Sequence, residues 1–338
     1  MRAIGVGSKT WNDFNVRYRL ESLLQLTVFA MLGIVFNNVL TNFRDFLALV
    51  AAWLILFTTT GRGWPYSPPC GNFTNNTLKA GAAMTILTLA AAATTYWVSH
   101  AATIFNPSFF AVIFLWILIV WGIVMSGWPL YHAEPKKGLI IAVVTSIIIS
   151  VSATIPLQNI LNIDNLHVLT VSNLGLTLIF STPFVLQGCP FTSLWRQPKI
   201  GLAIIATTSI PTLLIMYLTS SQQFFSETAL RFFSSVILWS VVLSWSMAYP
   251  LTLRFRQPKR GIATIVAVLF VSGVWSTNLS GVVSADGMMV LNLLWLLPTI
   301  IMHNIYWLRK PLSPPLLIGM PPQGHTDLNK LGEWVEQV

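Results

Sequence analysis

Residue types that could perform chemistry are few in this 338-residue chain, and none falls into a recognised catalytic spacing. The sequence contains no Gly-rich phosphate loop, no His-Glu-x-x-His, no Gly-x-Ser-x-Gly and no Cys-x-x-Cys. Its 2 cysteines and 5 histidines are scattered, without the matched histidine pair that a haem between helices would need. We therefore predict no catalytic residue, no metal site and no cofactor, and a protein that is not an enzyme.

The last apolar segment, 288–306, holds the most polar pair that the second half of the chain places inside a span, His303 and Asn304. A neutral imidazole and an amide can bind a polar solute without burying a charge. Pro298 lies on the same segment and should bend it, because proline lacks the N–H that bonds to residue i−4. We predict a solute-binding site here. The alternative is a histidine that hydrogen-bonds within the bundle or reaches the lipid headgroups.

Two more prolines interrupt apolar segments, Pro183 in 168–187 and Pro211 in 201–219. Such a proline frees a backbone carbonyl, which a membrane protein tolerates only against protein, water or a hydroxyl group. Serine and threonine residues flank both prolines, and many transporters build uncharged binding sites from broken helices of this kind. We include both prolines in the candidate solute site, with simple packing kinks as the alternative.

The carboxylates argue against one class of mechanism. Asp45, Asp164, Glu227 and Asp286 fall at or beyond the ends of the apolar segments, and no carboxylate falls in the middle of one. An ionisable group within the membrane is the usual marker of an ion pathway. The sequence therefore gives no support to proton coupling through a buried carboxylate.

The apolar composition predicts the elements that must position these residues. Hydrophobic residues make up 54% of the chain and charged residues 9%, whereas a soluble domain carries about 25% charged residues. The apolar residues come in blocks of roughly 17–24, long enough to cross a hydrocarbon core of about 30 Å at 1.5 Å per residue. The sequence predicts an all-α, polytopic membrane bundle of about ten transmembrane helices, near 22–39, 43–59, 82–100, 108–126, 138–156, 168–187, 201–219, 229–247, 262–279 and 288–306.

A basic loop punctuated by proline recurs along the chain. Pro65, Pro129, Pro190 and Pro250 are 64, 61 and 60 residues apart, and a Lys-x-Gly after each one opens the next apolar segment. Equal spacing with matched landmarks predicts tandem two-helix repeats of about 60 residues within a bundle at 22–310, with the first helix outside the array. The repeats lie near 43–106, 107–167, 168–228 and 229–287, and a half-repeat follows at 288–315.

The basic residues predict the orientation, because cytoplasmic loops carry an excess of Lys and Arg. With a cytoplasmic N-terminus, all but two of the 19 Lys and Arg residues lie on the cytoplasmic side, the exceptions being Arg44 and Arg231. The N-terminal tail, 1–21, and the C-terminal tail, 316–338, are then both cytoplasmic, and we assign the protein to the bacterial inner (plasma) membrane. The net charge of +9 is largely this topology signal, so we predict no nucleic-acid partner.

The basic loops have two interpretations. As anchors, they place cations at anionic lipid headgroups, where each contributes about 1 kcal/mol. As a functional surface, they would collect an anionic ligand or a cytoplasmic partner, and the Arg-Gln-Pro-Lys that recurs at 196–199 and 256–259 favours this reading. The candidate lipid-contacting or partner-contacting residues are Lys136, Lys137, Arg196, Lys199, Arg256 and Lys259.

Two functions from different classes fit these patterns. The first is an integral membrane transporter or facilitator of a small weakly charged or apolar solute. The second is a non-catalytic subunit that anchors or scaffolds a multi-subunit membrane complex. Apolar residues between Leu328 and Val338 recur at helical spacing, which predicts a short amphipathic helix lying on the membrane surface or against a membrane or cytoplasmic protein partner.

Overall fold

The computed structural model describes residues 23–60, 76–125, 127–130, 134–160, 166–186, 189–195, 198–218, 227–247 and 259–302. This part of the chain is helical and contains no strand. The α-helices are α1 (Leu23–Val35), α2 (Asn37–Asn42), α3 (Arg44–Thr59), α4 (Asn76–His100), α5 (Pro107–Leu118), α6 (Pro135–Leu157), α7 (Leu166–Phe180), α8 (Phe191–Leu194), α9 (Lys199–Leu218), α10 (Glu227–Val241), α11 (Lys259–Leu279), α12 (Ala285–Met289) and α13 (Leu297–Met302).

Several helices pass into a π-helical turn, in which the backbone hydrogen bonds skip one residue more than in an α-helix. In the described residues these π turns are Ile119–Val124 after α5, Ser181–Val185 after α7, Val242–Met247 after α10 and Val290–Leu296. The turn at Val290–Leu296 joins α12 to α13, so that Ala285–Met302 is continuous. We call Ala285–Met302 the last helix.

Local sequence explains where two of these helices begin. The side chain of Asn106 accepts a hydrogen bond from the backbone N–H of Phe109 at 3.2 Å, and Pro107 occupies the first position of α5. Proline is tolerated there because that N–H has no partner within the helix. At the start of the last helix, the Ser284 hydroxyl accepts from the N–H of Gly287 at 3.1 Å. Both caps use the residue types that most favour a helix N-terminus.

The helices α3, α5 and the last helix begin at the same face of the bundle. The Ser108 hydroxyl of α5 donates to Asp45 Oδ2 of α3 at 2.5 Å. The Arg44 guanidinium lies 3.6 Å from Asp45 Oδ1 and 3.9 Å from Asp286 Oδ1 of the last helix. Arg44, Asp45, Ser108 and Asp286 thus link the starts of three helices.

The bundle has two layers. The helices α3, α5, α7, α10 and the last helix form the centre, where α3 packs on α5 and the last helix, and α10 packs on α7 and the last helix. In α5, α7, α10 and the last helix, 50% to 67% of the spanning residues are buried, against 17% to 33% in α4, α6 and α11. We call α3, α5, α7, α10 and the last helix the inner helices. We call α4, α6, α9 and α11 the peripheral helices.

Each peripheral helix packs on the inner helix that precedes it in the chain. Three of them also contact the next inner helix back along the chain, or its π turn. These contacts join α6 to α3, α9 to the π turn after α5, and α11 to the π turn after α7. The peripheral helices therefore cover junctions between successive inner helices.

The outward faces of the peripheral helices are apolar. Large apolar side chains project from them with most of their surface exposed, including Leu89 at 62%, Ile148 at 60%, Leu213 at 62% and Phe270 at 72%. Soluble proteins rarely expose apolar surface on this scale. Contact with lipid explains why these faces remain uncovered.

Seven helices of the described residues are long and apolar enough to cross a membrane, which is consistent with the predicted α-helical membrane protein. The other three predicted spans, 22–39, 43–59 and 201–219, fall on α1 with α2, on α3 and on α9, which do not meet the same criteria. The count of ten spans and the tandem repeat remain predictions. The spans that meet the criteria are Gly81–His100, Pro107–Val124, Lys136–Leu157, Val168–Val185, Glu227–Ser244, Gly261–Leu279 and Ala285–Met302.

Candidate solute cavity

An apolar cavity of about 80 Å³ lies where the five inner helices meet. Every inner helix contributes to its walls, from Ala51 in α3 to Ile237 in α10 and Leu297 in the last helix. Of its 17 lining residues, all are apolar except Thr58 and Thr59. The cavity is a concave, almost wholly apolar site inside the described bundle.

The two threonine hydroxyls donate to their own helix. Thr58 Oγ1 donates to the carbonyl of Leu54 at 2.7 Å, and Thr59 Oγ1 donates to the carbonyl of Ile55 at 2.6 Å. A polar group buried here without a partner would cost about 1–3 kcal/mol. The walls therefore favour a small apolar group.

The cavity separates α5 from α7. Leu115 and Ile119 face it from the α5 side, and Leu176 and Phe180 face it from α7. Within the described residues, α5 and α7 lack the extensive packing that joins α3 to α5 and α7 to α10. The peripheral helix α9 lies across this separation, because it contacts both α7 and the π turn after α5.

Three of the π turns supply cavity walls. Ile119 and Ile123 belong to the turn after α5, Phe184 belongs to the turn after α7, and Leu293 and Leu294 belong to the turn in the last helix. A π turn changes which side chains face inward relative to an unbroken α-helix, and such turns are frequent at functional sites.

The structure brings some of the predicted proline segments together. Pro298 is buried and lines the cavity. Pro183 is buried in the π turn after α7, beside the lining residue Phe184, but does not line the cavity itself. Pro211 lies within α9 on its exposed face, away from the cavity. Four predicted site residues lie outside the described part of the chain: His303, Asn304, Arg196 and Arg256.

The described basic residues of the predicted loops lie at the starts of peripheral helices. Lys136 and Lys137 occupy the first turn of α6 and are exposed, and Lys137 Nζ lies 3.0 Å from Glu134 Oε2. Lys199 is exposed at the first position of α9, and Lys259 begins α11. The side-chain roles proposed for them remain predictions.

A buried polar cluster that sequence reasoning missed adjoins the cavity. Asn292 is 0% exposed, and its Nδ2 donates to the hydroxyls of Ser234 and Ser235 at 3.2 Å each. Trp275 Nε1 donates to Asn292 Oδ1 at 3.1 Å. The cluster ties the last helix to α10 and α11. It adjoins the cavity because Asn292 directly precedes the lining residue Leu293. The sequence feature that could have predicted this cluster is the asparagine inside the apolar run VLNLLWL.

No family model, curated protein or solved structure matches this chain.

Proposed function

We propose that the protein is an integral membrane carrier for a small apolar or weakly charged solute that binds in the central cavity. One observation carries the proposal: an apolar cavity lies where the five inner helices meet, and three π turns line it. Ligand sites are typically concave and mostly apolar, and bundles place them between facing helices. The absence of free hydrogen-bonding groups on the walls favours an apolar over a polar cargo.

The boundary between α5 and α7 is where we expect movement during transport. The cavity separates these two helices, so a change in their distance disturbs fewer packed side chains than a change between α3 and α5. Interfaces with little buried contact are the ones that open at low free energy. The peripheral helix α9, which contacts both sides, would have to move with one of them.

Tandem duplication gives a simple origin for this architecture. The π turns after α5, α7 and α10 begin at residues 119, 181 and 242, which are 62 and 61 residues apart. In α9 and α11, buried residues recur 60 positions apart, as in Thr208 and Val268 and in Thr212 and Ser272. The two-layer packing also repeats from one helix pair to the next. We infer that equivalent faces of successive units surround the cavity.

The proposed membrane placement follows from the same units. We propose ten spans with both termini in the cytoplasm of a bacterial cell and with anionic headgroups at Lys136, Lys137 and Lys199. Two observations support it: the exposed lysines start peripheral helices, and the faces between the two ends of those helices are apolar.

Transport is tested in liposomes with a panel of small apolar and weakly charged solutes. Ala51 lines the cavity and is 7% exposed, so Ala51→Phe places a ring in the space that the solute would occupy. Ala93 lies on the exposed face of α4, so Ala93→Phe adds the same ring toward lipid. We expect Ala51→Phe to abolish the flux of a solute that the wild-type protein carries, and Ala93→Phe to retain it.

Two outcomes would contradict the proposal. Equal flux through the Ala51→Phe and Ala93→Phe variants would show that solute does not pass through the cavity. If no solute moves in the wild type and the protein co-purifies at fixed stoichiometry with other subunits, the scaffolding function takes the place of transport.

A further inference from the structure

The cavity lies toward one end of the inner helices. Its lining residue Thr59 is the last residue of α3, and Ile123 and Phe184 lie one residue before the ends of their π turns. The chain leaves the bundle at this end and re-enters it at the starts of the peripheral helices α6 and α9. The apolar space therefore lies just below the surface that carries the basic loops.

Three exposed lysines lie at this end of the bundle. Lys136 and Lys137 are exposed three and two positions before Leu139, and Lys199 is exposed directly before Ile200. Leu139 and Ile200 are buried in the same core as the cavity walls. The exposed pair between Lys137 and Glu134 contributes little, because water screens it. The three lysines thus lie at the starts of α6 and α9, beside buried residues of the apolar core, and we call them the basic rim.

Exposed aromatic residues mark the depth of this rim. Trp128 is 37% exposed and its carbonyl accepts a hydrogen bond from Trp121 Nε1 at 2.7 Å. Trp195 is 44% exposed and stacks on Phe191 with ring centroids 6.0 Å apart. Indole rings favour the headgroup level of a membrane. We therefore place the basic rim at the depth of the lipid phosphates, with the cavity on its hydrocarbon side.

We propose that the cavity takes the end of an acyl chain of an anionic phospholipid, whose phosphate lies at the basic rim. The inference goes beyond the proposed function, because it assigns a lipid occupant to the same cavity that would take the small solute. The walls offer no partner for a charge, so the headgroup must stay at the rim, where Lys136, Lys137 and Lys199 complement it. The cavity of about 80 Å³ takes the end of the chain in this proposal, and the separation between α5 and α7 gives the rest of the chain a path to the surface.

The test uses full-length protein in phosphatidylcholine liposomes that contain a small fraction of a photoreactive lipid. The probe is phosphatidylglycerol with a diazirine near the end of one acyl chain, and the matched probe has the same chain on phosphatidylcholine. Labelled residues are mapped by mass spectrometry after illumination. We expect the phosphatidylglycerol probe to label Ile119, Leu176 or Phe180, and the phosphatidylcholine probe to label mainly the exposed peripheral faces.

Two variants separate the headgroup from the chain. Lys199→Gln should lower cavity labelling by phosphatidylglycerol about fivefold, the contribution of one cation near a membrane surface. Ala51→Phe should remove cavity labelling, whereas Ala93→Phe should leave it unchanged. Because Lys199 is exposed at a helix start, the Lys199→Gln protein should fold and insert normally, which its thermal unfolding midpoint checks.

Equal cavity labelling by the two probes would overturn the inference, as would labelling that Lys199→Gln does not change. Absence of cavity labelling with both probes would also overturn it. Solute flux in liposomes of phosphatidylcholine alone is measured in parallel. Solute flux without selective cavity labelling rejects only the lipid inference. The absence of both solute flux and selective labelling rejects the proposed function as well.

Discussion

Trp295 of the last helix donates a hydrogen bond from Nε1 to the backbone carbonyl of Phe29 in α1 at 2.9 Å. Four residues earlier in α1, Gln25 Nε2 donates to the carbonyl of Thr299, four residues later in the last helix, at 3.1 Å. One helical turn back along α1 thus corresponds to one helical turn forward along the last helix. The first and last described helices of the chain are therefore an antiparallel pair.

Small residues continue this seam in the same register. Gly33 lies against Leu291, and Asn37 of α2 lies against Gly287, so that a side chain on either glycine would collide with its partner. Within the described residues, the last helix has no peripheral helix after it in the chain. We infer that α1 takes that place, which gives the fifth inner helix the covering partner that the sequence pattern lacked.

A cross-linking experiment tests the register of the seam. In a background with Cys70→Ser and Cys189→Ser, we expect Asn37→Cys with Gly287→Cys to form a disulfide on mild oxidation. A disulfide requires Cβ atoms about 3.5–4.5 Å apart. The measurement is the fraction of protein that shows the intramolecular bond by mass spectrometry after digestion.

The control pairs Asn37→Cys with Leu291→Cys, which shifts the second cysteine by one helical turn, about 5.4 Å. This pair should remain reduced under the same conditions. Efficient bonding in the control, or none in the predicted pair, would contradict the antiparallel register.

Sequence reasoning predicted the helical segments better than their arrangement. Apolar blocks mark every spanning helix of the described chain, but both the inward and the lipid-facing surfaces of such helices are apolar. Periodicity therefore could not show that Pro298 faces the cavity while Pro211 faces away from the bundle. The seam through Trp295 was equally hidden, because it joins residues more than 260 positions apart through a backbone carbonyl.

The close approach of the π turn after α5 to α3 should depend on Gly122. A Cβ at this position would lie 2.5 Å from Ile55 Cγ2 and 3.0 Å from Thr59 Oγ1. Gly122→Ala should lower the free energy of unfolding by about 1–3 kcal/mol, because the two helices must separate. Thermal unfolding in detergent measures the change.

The matched control is Gly273→Ala in α11, where a Cβ would have no neighbour within 4 Å. Alanine is the better helix former by about 1 kcal/mol, so this variant should be unchanged or more stable. A similar loss in both variants would mean that tight packing at Gly122 does not matter.

The orientation can be tested at the two ends of α6. Glu134 and Asn159 are exposed and flank a helix of 23 residues, which spans about 35 Å at 1.5 Å per residue. In the cysteine-free background, we expect Asn159→Cys to react with a membrane-impermeant maleimide on intact cells. Glu134→Cys should react only after permeabilisation. The reverse pattern would invert the topology, and labelling of both from outside would show that α6 does not cross the membrane.

The cluster around Asn292 should stabilise the bundle beside the cavity. Asn292→Ala leaves the indole N–H of Trp275 without this partner and removes the links to Ser234 and Ser235, whose hydroxyls still donate to the Arg231 carbonyl. Unsatisfied buried groups cost about 1–3 kcal/mol, so we expect a clear fall in the thermal unfolding midpoint. Asn278→Ala is the matched control, because that side chain is exposed and its amide bonds only within its own helix, to a carbonyl 2.8 Å away. If both variants unfold at the same temperature, the hydrogen bonds of Asn292 do not hold the last helix against α10 and α11.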